Sequence, residues 1–490
     1  MILKELISTG SNLELTGDGT IEITGLDYDS RRIRPGMLFV AIAGYRQDGN
    51  RFIPDAIQNG AAAILTEKPI DLDIPVVVTS SIRKTMAAMA ACFYDYPGLK
   101  IAATAVTGTN GKSTSVALIA NLLRTAGKKV GMMNSLVYDT GTRQYKAERT
   151  TPDSIDTQKM MAEMVGAGCT EGVIEVSSHA LVLHRVDHID FKVGLFTNFS
   201  RDHLDFHNTM EEYLAAKKLL LDILTGPGRW AVINVDVPEY AGFIPDVKGR
   251  CLTWSLHDAG ADVYVEKADL YPDRTVFDIR TASGCDTITI RLPGRYNLEN
   301  AAGAAAAGVA LGLGQNIIKT GLESAQPVMG RFQPVDLGQP FTVIIDFAHT
   351  PDALKRLIAS AREISRGRIL TLFGCGGDRD KGKRPLMGRV VTENSDVAVV
   401  TSDNPRKEDA GKIIEDILPG MSGKNYEIRV DRKEAIARIL SLARPYDMVL
   451  IAGKGAEDYQ EIGTKKYPYQ DQVEIIRVLE SLGYSQGCRS

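Results

Sequence analysis

Thr107 to Thr114 read TGTNGKST, preceded by an apolar run and followed by an amphipathic one, the pattern of a strand, a glycine turn and a helix. Glycines in such a turn let backbone N–H groups approach a phosphate closely, and the helix N-terminus adds positive potential. Lys112 is placed to reach terminal phosphates, and a hydroxyl from Ser113 or Thr114 to ligate Mg²⁺. Gly108, Thr109, Asn110, Gly111, Lys112, Ser113 and Thr114 are therefore read as a nucleoside triphosphate site. The general P-loop pattern has a glycine five residues before Gly111, where this chain has Val106.

Further along, GVIEVSSHALVLHR puts Glu175 just past an apolar strand, where a carboxylate can hold a hard cation through oxygen, or simply be solvated or cap a helix. TNFSRDHLDFH sets His203 between Asp202 and Asp205, and EEYLAAKKLLL sets Lys217 on a helix. Taken singly, such a histidine or lysine more often belongs to core or surface. The stretch TSDNPRKED raises a different question. Asn404-Pro405 is ordinary turn chemistry, yet Arg406, a planar fork of donors, stands beside Asp403 and Asn404 at the mouth of a strand.

The elements that must position these residues read as α/β. A segment to about residue 97 carries the short β-rich runs MLFVAI, AAAILTE and IPVVVTSS with a helical FIPDAIQNG among them, and YDYPGLK reads as a linker. From residue 98 apolar strands alternate with helices, the signature of a parallel sheet covered on both faces. DVYVEKADL and TITIRLPG suggest an antiparallel excursion before an Ala-rich helix near residues 301–314. From residue 330 four strands end in polar loops: TVIIDFAHTPDAL, RILTLFGCGGDRDKGKRP, VAVVTSDNPRKED and DMVLIAGKGAED. Open α/β sheets collect ligands outside the carboxyl ends of their strands, so this edge is read as a substrate site.

At 490 residues the chain exceeds a single core, and 44% hydrophobic with 24% charged residues is ordinary globular composition. A net charge of −4 gives no case for nucleic acid as the main partner. The N-terminal MILKELISTG lacks the apolar core of a signal peptide, and no run is long enough to span a bilayer. Six cysteines without a CxxC pair argue against a zinc site or disulfide framework and fit a reducing cytoplasm.

Taken in order, TGTNGKST, TTPD, EVSSHAL–HR, TNFSRDHLDFH, YLAAK, GRYNLENAAGA, GRFQPV, DFAHTPDAL, FGCGGDRDKGKRPLMG, DNPR and GKGAEDYQ resemble the Mur ligases over essentially the whole chain. The resemblance is nearest to members that add the third residue of the UDP-muramoyl peptide. It implies three α/β domains: a UDP-substrate domain (1–97), a central P-loop-type ATPase domain with a parallel sheet (98–329), and a C-terminal Rossmann-like domain for the incoming amino acid (330–490). It also implies ATP-dependent joining of meso-diaminopimelate to the D-glutamate γ-carboxylate of UDP-N-acetylmuramoyl-L-alanyl-D-glutamate, through an acyl phosphate, by a monomeric cytoplasmic enzyme.

By the same resemblance, Lys112, Glu175, His203 and Lys217 are catalytic. Mg²⁺ is held by Ser113, Glu175, His203 and a carbamylated Lys217. Asn297, Arg331 and Asp346 join the ATP site. Tyr28, Ser30, Tyr45, Arg46 and Gln47 meet the uridine end of the substrate, and Thr150, Thr151, Ser177 and Arg185 line the path to its peptide end. Arg379, Asp403, Asn404, Pro405, Arg406, Gly453 and Glu457 bind diaminopimelate, with Arg406 taking the distal carboxylate and Asp403 and Asn404 the neighbouring ammonium. The chain departs from the family at Ser113-Thr114, where GKTT is frequent, and at Ala456, where GKGHE is frequent. Three alternatives stand beside this reading: the same reaction with L-lysine, a folylpolyglutamate synthase-like ligase, and a non-catalytic ATP-binding regulator on the ligase fold.

Overall fold

The computed structural model describes residues 1–10, 13–44 and 47–485. The chain divides into two compact units, the first comprising Met1–Val263 with Gly303–Gly321, the second Tyr264–Ala302 with the chain from Leu322 onward.

The first unit holds two sheets. The N-terminal sheet runs, in spatial order, Glu14–Thr16, Val76–Val78, Ala63–Thr66, Met37–Val40 and Gly25–Asp27. Its strands pair in parallel except at the Glu14–Thr16 edge. The expected FIPDAIQNG helix is present as Ile53–Gln58 with Pro54 in its first turn, where a missing N–H costs nothing. The larger sheet has a parallel heart, ordered Arg250–Ser255, Trp230–Asn234, Phe191–Phe196, Ala102–Thr107, Glu171–Glu175 and Val130–Met133. Its strands are almost wholly buried, as a sheet covered on both faces requires. The central Ala102–Thr107 strand delivers the glycine turn, and its neighbours Glu171–Glu175 and Phe191–Phe196 deliver Glu175 and Thr197 on either side of it.

In the second unit the strand Val263–Leu270, from Tyr264 on, with Thr275–Thr281 and Gly284–Ile290 forms the antiparallel excursion read from the sequence. The other sheet runs Gln333–Val335, Thr342–Asp346, Met448–Ala452, Ile369–Phe373, Val397–Val400 and Tyr426–Ile428, parallel except for its first strand. Ile369–Phe373 and Met448–Ala452 are buried at every residue. Helices between them start on side-chain caps: Thr350 accepts from the Ala353 N–H, with Pro351 opening the helix, and Asp409 accepts from the Lys412 N–H. The four polar loops leave the carboxyl ends of the four central strands, as read from the sequence. A small antiparallel hairpin, Tyr459–Ile462 with Lys465–Pro468, follows the last of them. Among the described residues no helix is long and apolar enough to cross a membrane.

Candidate active site

The loop between the Ala102–Thr107 strand and the Lys112–Thr125 helix turns on two left-handed glycines, Gly108 (φ +150°) and Gly111 (φ +80°). A Cβ on Gly108 would lie 1.8 Å from Thr197 Oγ1, so no side chain fits there. The loop is tied to the neighbouring strand end: Thr109 N donates to the Asn198 carbonyl, Asn110 N to Asn198 Oδ1, and Thr197 Oγ1 to the Asn110 carbonyl. Lys112 curls over the loop, with Nζ donating to the carbonyls of Thr109 at 2.9 Å and Gly108 at 3.2 Å. Its ammonium stands 3.9 Å from Glu175.

Glu175, buried at the end of its strand, gathers donors. Ser113 Oγ donates to Glu175 Oε2 at 2.7 Å and Ser135 N donates to the same oxygen at 3.0 Å. The Ser135 hydroxyl also meets Ser113 Oγ at 2.7 Å, a partner that no sequence motif signalled. Lys217 sits on the Met210–Ile223 helix, whose Thr209 cap accepts from Glu212 N. Its amine is fully buried and donates to the Gly108 carbonyl at 2.7 Å, over the ring of Tyr213. Burial, reinforced by the positive charge of Lys112, drives the Lys217 ammonium well below its ordinary pKa. The glycine loop thus brings Lys112, Ser113, Glu175 and Lys217 into one hydrogen-bonded group.

His203 has a left-handed backbone (φ +54°), with its N–H on Asp202 Oδ1. Its ring packs edge-on to His179 and Tyr213. Among the described residues, no three His, Cys, Asp or Glu side chains gather as a metal cluster.

The Thr151 loop leads away from Glu175. Thr151 Oγ1 donates to the Glu175 carbonyl at 2.7 Å and lies 3.3 Å from Ser177 Oγ. Arg185 Nη1 donates to the Thr151 carbonyl at 3.0 Å, and its Nε pairs with the buried Asp153. Arg83 and Arg149 also face Asp153, so three guanidinium groups surround one carboxylate. Burial lowers the pKa of Arg185. Thr150 adjoins on the same loop, partly exposed. A cleft of about 410 Å³ opens beside it, walled by Tyr28, Tyr138 and Tyr145 and by charges of both signs, Arg32, Lys146 and Arg149 against Glu148, Asp153 and Asp156. Tyr28 donates to Asp156 Oδ2 at 2.6 Å. Ser30 opens a short 3₁₀ turn, and Gln47 lies outside the cleft lining. Tyr45 and Arg46 lie outside the described residues.

In the second unit, Asp346 closes its strand, with carboxylate oxygens accepting from Phe332 N and Ala348 N. Burial raises its pKa, and neighbouring Arg331 opposes the rise. Arg331 lies over the Phe347 ring, and Asn297 Nδ2 donates to the Pro293 carbonyl.

Around the DNPR loop, Arg406 adopts a left-handed backbone (φ +52°) between two hairpin contacts: Arg406 N donates to the Glu461 carbonyl, and Gly463 N donates to the Arg406 carbonyl. Its guanidinium donates from Nε to Glu461 Oε2 at 2.9 Å and from Nη1 to the Gly377 carbonyl at 2.8 Å. The CGGD glycines are there for clearance. A Cβ on Gly376 would approach Arg406 Nη1 to 2.9 Å, and one on Gly377 would meet the Pro405 carbonyl at 1.9 Å. Gly453 (φ +113°) likewise leaves room for Asp403 Oδ2. Arg379 donates to the Asp378 carbonyl on the same CGGD loop.

Both ends of the Asn404 amide are engaged within the protein. Its Oδ1 already accepts from Lys454 Nζ at 2.9 Å and from Glu461 N at 2.9 Å, while its Nδ2 donates to Glu457 Oε2 at 2.8 Å. Lys454, fully buried, also donates to Glu457 at 2.8 Å. Its position inside GKGAE was its only sequence signal.

The profile of the Mur ligase catalytic domain matches residues 22–96, that of the Mur ligase middle domain 106–308, and that of the glutamate ligase domain 330–455. The UDP-N-acetylmuramoyl-L-alanyl-D-glutamate–2,6-diaminopimelate ligase of Bacillus licheniformis is 38% identical over 488 residues, covering 98% of this chain and 100% of that protein. The chain belongs to the Mur ligase family. A Mur ligase of the same name from Solibacter usitatus is 41% identical over 480 residues, 95% of each chain. A solved structure of a Mur ligase also so named is 29% identical, with a TM-score of 0.70, covering 99% of this chain and all of that one. The three-domain α/β architecture is thus that of the Mur ligases.

Proposed function

We propose that this Mur ligase joins meso-2,6-diaminopimelate to the D-glutamate γ-carboxylate of UDP-N-acetylmuramoyl-L-alanyl-D-glutamate, with ATP converted to ADP and phosphate. It is an ATP-dependent, amide-forming ligase of peptidoglycan precursor synthesis. The observation that carries the choice of amino acid is the DNPR cluster in the second unit, which carries Arg406 on Glu461 and, two residues away, Asn404 against the carboxylates of Asp403 and Glu457. A guanidinium and two carboxylates suit a carbon bearing both a carboxylate and an ammonium. L-Lysine carries only the ammonium at that end.

A free carboxylate is a poor acyl donor, so the γ-phosphoryl group is first transferred to it, giving an acyl phosphate and ADP. The amine of diaminopimelate then attacks the acyl carbon, and phosphate leaves from the tetrahedral intermediate. Because two anions must approach each other, the protein's task is positioning and charge neutralisation. Gly108, Thr109, Asn110, Gly111, Lys112, Ser113 and Thr114 hold the triphosphate. Lys112, freed from its loop carbonyls, supplies positive charge to it. Asn297, Arg331 and Asp346 contact the nucleotide.

Ser113 and Glu175 fit Mg²⁺ in donor chemistry, being hard oxygens that already meet at 2.7 Å. Lys217 fits as well, since burial favours the neutral form of its amine, the form that can add CO₂ to give a carbamate with release of one proton. Those groups, with His203, would hold the ion, which neutralises phosphate charge when bound. Thr150, Thr151, Ser177 and Arg185 guide the peptide end of the substrate. Tyr28, Ser30, Tyr45, Arg46 and Gln47 receive the uridine end, and the three tyrosines that line the cleft offer aromatic faces to a nucleotide sugar. Residues 1–97, 98–329 and 330–490 divide UDP-substrate, ATP and amino-acid binding among them, in a monomer acting in the cytoplasm.

Purified protein given ATP, Mg²⁺ and the UDP-muramoyl dipeptide is expected to release phosphate far faster with meso-diaminopimelate than with L-lysine. Equal or faster release with lysine would sink the specificity, and no amino-acid-dependent release would sink the reaction.

A further inference from the structure

Glu461 stands in none of the motifs from which the site was read, yet it touches the DNPR loop three times. Its carboxylate takes the Nε edge of Arg406 at 2.9 Å, its carbonyl takes the Arg406 N–H at 3.0 Å, and its own N–H reaches Asn404 Oδ1 at 2.9 Å. The neighbouring Gln460 donates to the Asp403 carbonyl at 2.8 Å. The Tyr459–Ile462 strand therefore straps residues 403, 404 and 406 in succession.

An arginine has two edges that can bind a carboxylate in a fork, one through Nε and the other between its Nη groups. Glu461 occupies the first, and the Gly377 carbonyl takes one Nη1 hydrogen. Nη2 has no acceptor among the described residues, so the open donors lie at the Nη end. Both partners are mostly buried, with side-chain exposures of 17% for Arg406 and 25% for Glu461, which strengthens their attraction over that of a surface pair. Glu461 also offsets the charge of Arg406 beforehand, so the guanidinium is fixed by geometry as well as by charge.

We propose that Glu461 is a specificity-determining positioning residue: it holds Arg406 by its Nε edge so that the Nη end is presented to the distal carboxylate of the incoming amino acid. This rests on the reading of that amino acid as diaminopimelate. The effect is on selection, because a ligand without the distal carboxylate gains nothing from an aligned fork.

The test is steady-state kinetics of wild type, Glu461→Gln and Glu461→Asp, with meso-diaminopimelate and L-lysine as competing amine substrates. Gln keeps the size but weakens the hold on the guanidinium; Asp keeps the charge. Glu461→Gln is expected to raise the KM for diaminopimelate about tenfold and to cut its preference over lysine by a similar factor, as for loss of a charged hydrogen bond. The KM values for ATP and the UDP-dipeptide should stay at wild type, and Glu461→Asp should recover part of the preference. An unchanged preference in Glu461→Gln, or a lower KM for diaminopimelate, would overturn the inference. Wild type that prefers lysine would instead overturn the substrate reading itself.

Discussion

The amine of Lys217 donates to the carbonyl of Gly108 at 2.7 Å, so a helix lysine is pinned to the turn that reads as the phosphate loop. The same amine is fully buried and held far from its ordinary protonation range, first by burial and then by Lys112. Lys217→Ala should abolish ligation, and a small carboxylic acid should restore part of it by standing in for the carbamate. Full activity of this variant in phosphate-release assays would remove Lys217 from the mechanism.

The same depression has a stability consequence. The unfolded chain binds a proton at Lys217 that the folded chain binds poorly, so the folded state is disfavoured below the unfolded lysine pKa of about 10.4. In CO₂-free buffer, the stability of wild type relative to Lys217→Met should rise as the pH is raised towards that value. Parallel stability–pH profiles from chemical denaturation would contradict it.

Gly108→Ala should be folded but badly impaired. Its Cβ would press on Thr197 Oγ1, and φ of +150° suits glycine alone, so the loop must shift. A displacement near 1 Å costs about 10²-fold in turnover. Single-turnover ATP cleavage would measure it, with wild-type rates as the contrary result.

Glu408 offers an acid-side test. Arg384, wholly buried, holds its carboxylate down to about 2 by hydrogen bonding, with help from the Asp378 N–H. A depressed carboxylate contributes stability that is complete above its unfolded pKa of about 4.3 and is lost as pH falls through the folded value. Glu408→Gln should flatten the stability profile between those two pH values. A profile as steep as wild type would place the acid sensitivity elsewhere.

Arg406→Lys keeps the charge but discards the fork. Its preference for diaminopimelate over lysine should fall by the equivalent of about 1–3 kcal/mol. Retained selectivity in competition assays would show that charge alone suffices.

Much of this was legible in the chain. The glycine loop, the strand-borne Glu175 and the four polar strand ends follow local rules that link residue type to turn, strand and helix. DNPR was read as a turn with Arg406 facing a ligand, and the structure adds a left-handed Arg406 strapped by a hairpin. That strap was not legible, because Glu461 lies 55 residues from Arg406 and nothing in YQEIG marks its partner. Asn404 was read with Asp403 as a partner for the ammonium; the fold adds what the sequence did not signal, its amide oxygen accepting from Lys454 and the Glu461 N–H. Ser135 escaped notice for the same reason, since its role comes from the placing of one strand end beside another. Long-range pairings of this kind depend on topology, which short motifs do not encode.

The most direct test supplies ATP, Mg²⁺, the UDP-muramoyl dipeptide and an equimolar mixture of meso-diaminopimelate and L-lysine, and weighs the products by mass spectrometry. The diaminopimelate-bearing tripeptide should dominate, formed one for one with ADP. A product bearing lysine, or ADP formed with no tripeptide, would contradict the account.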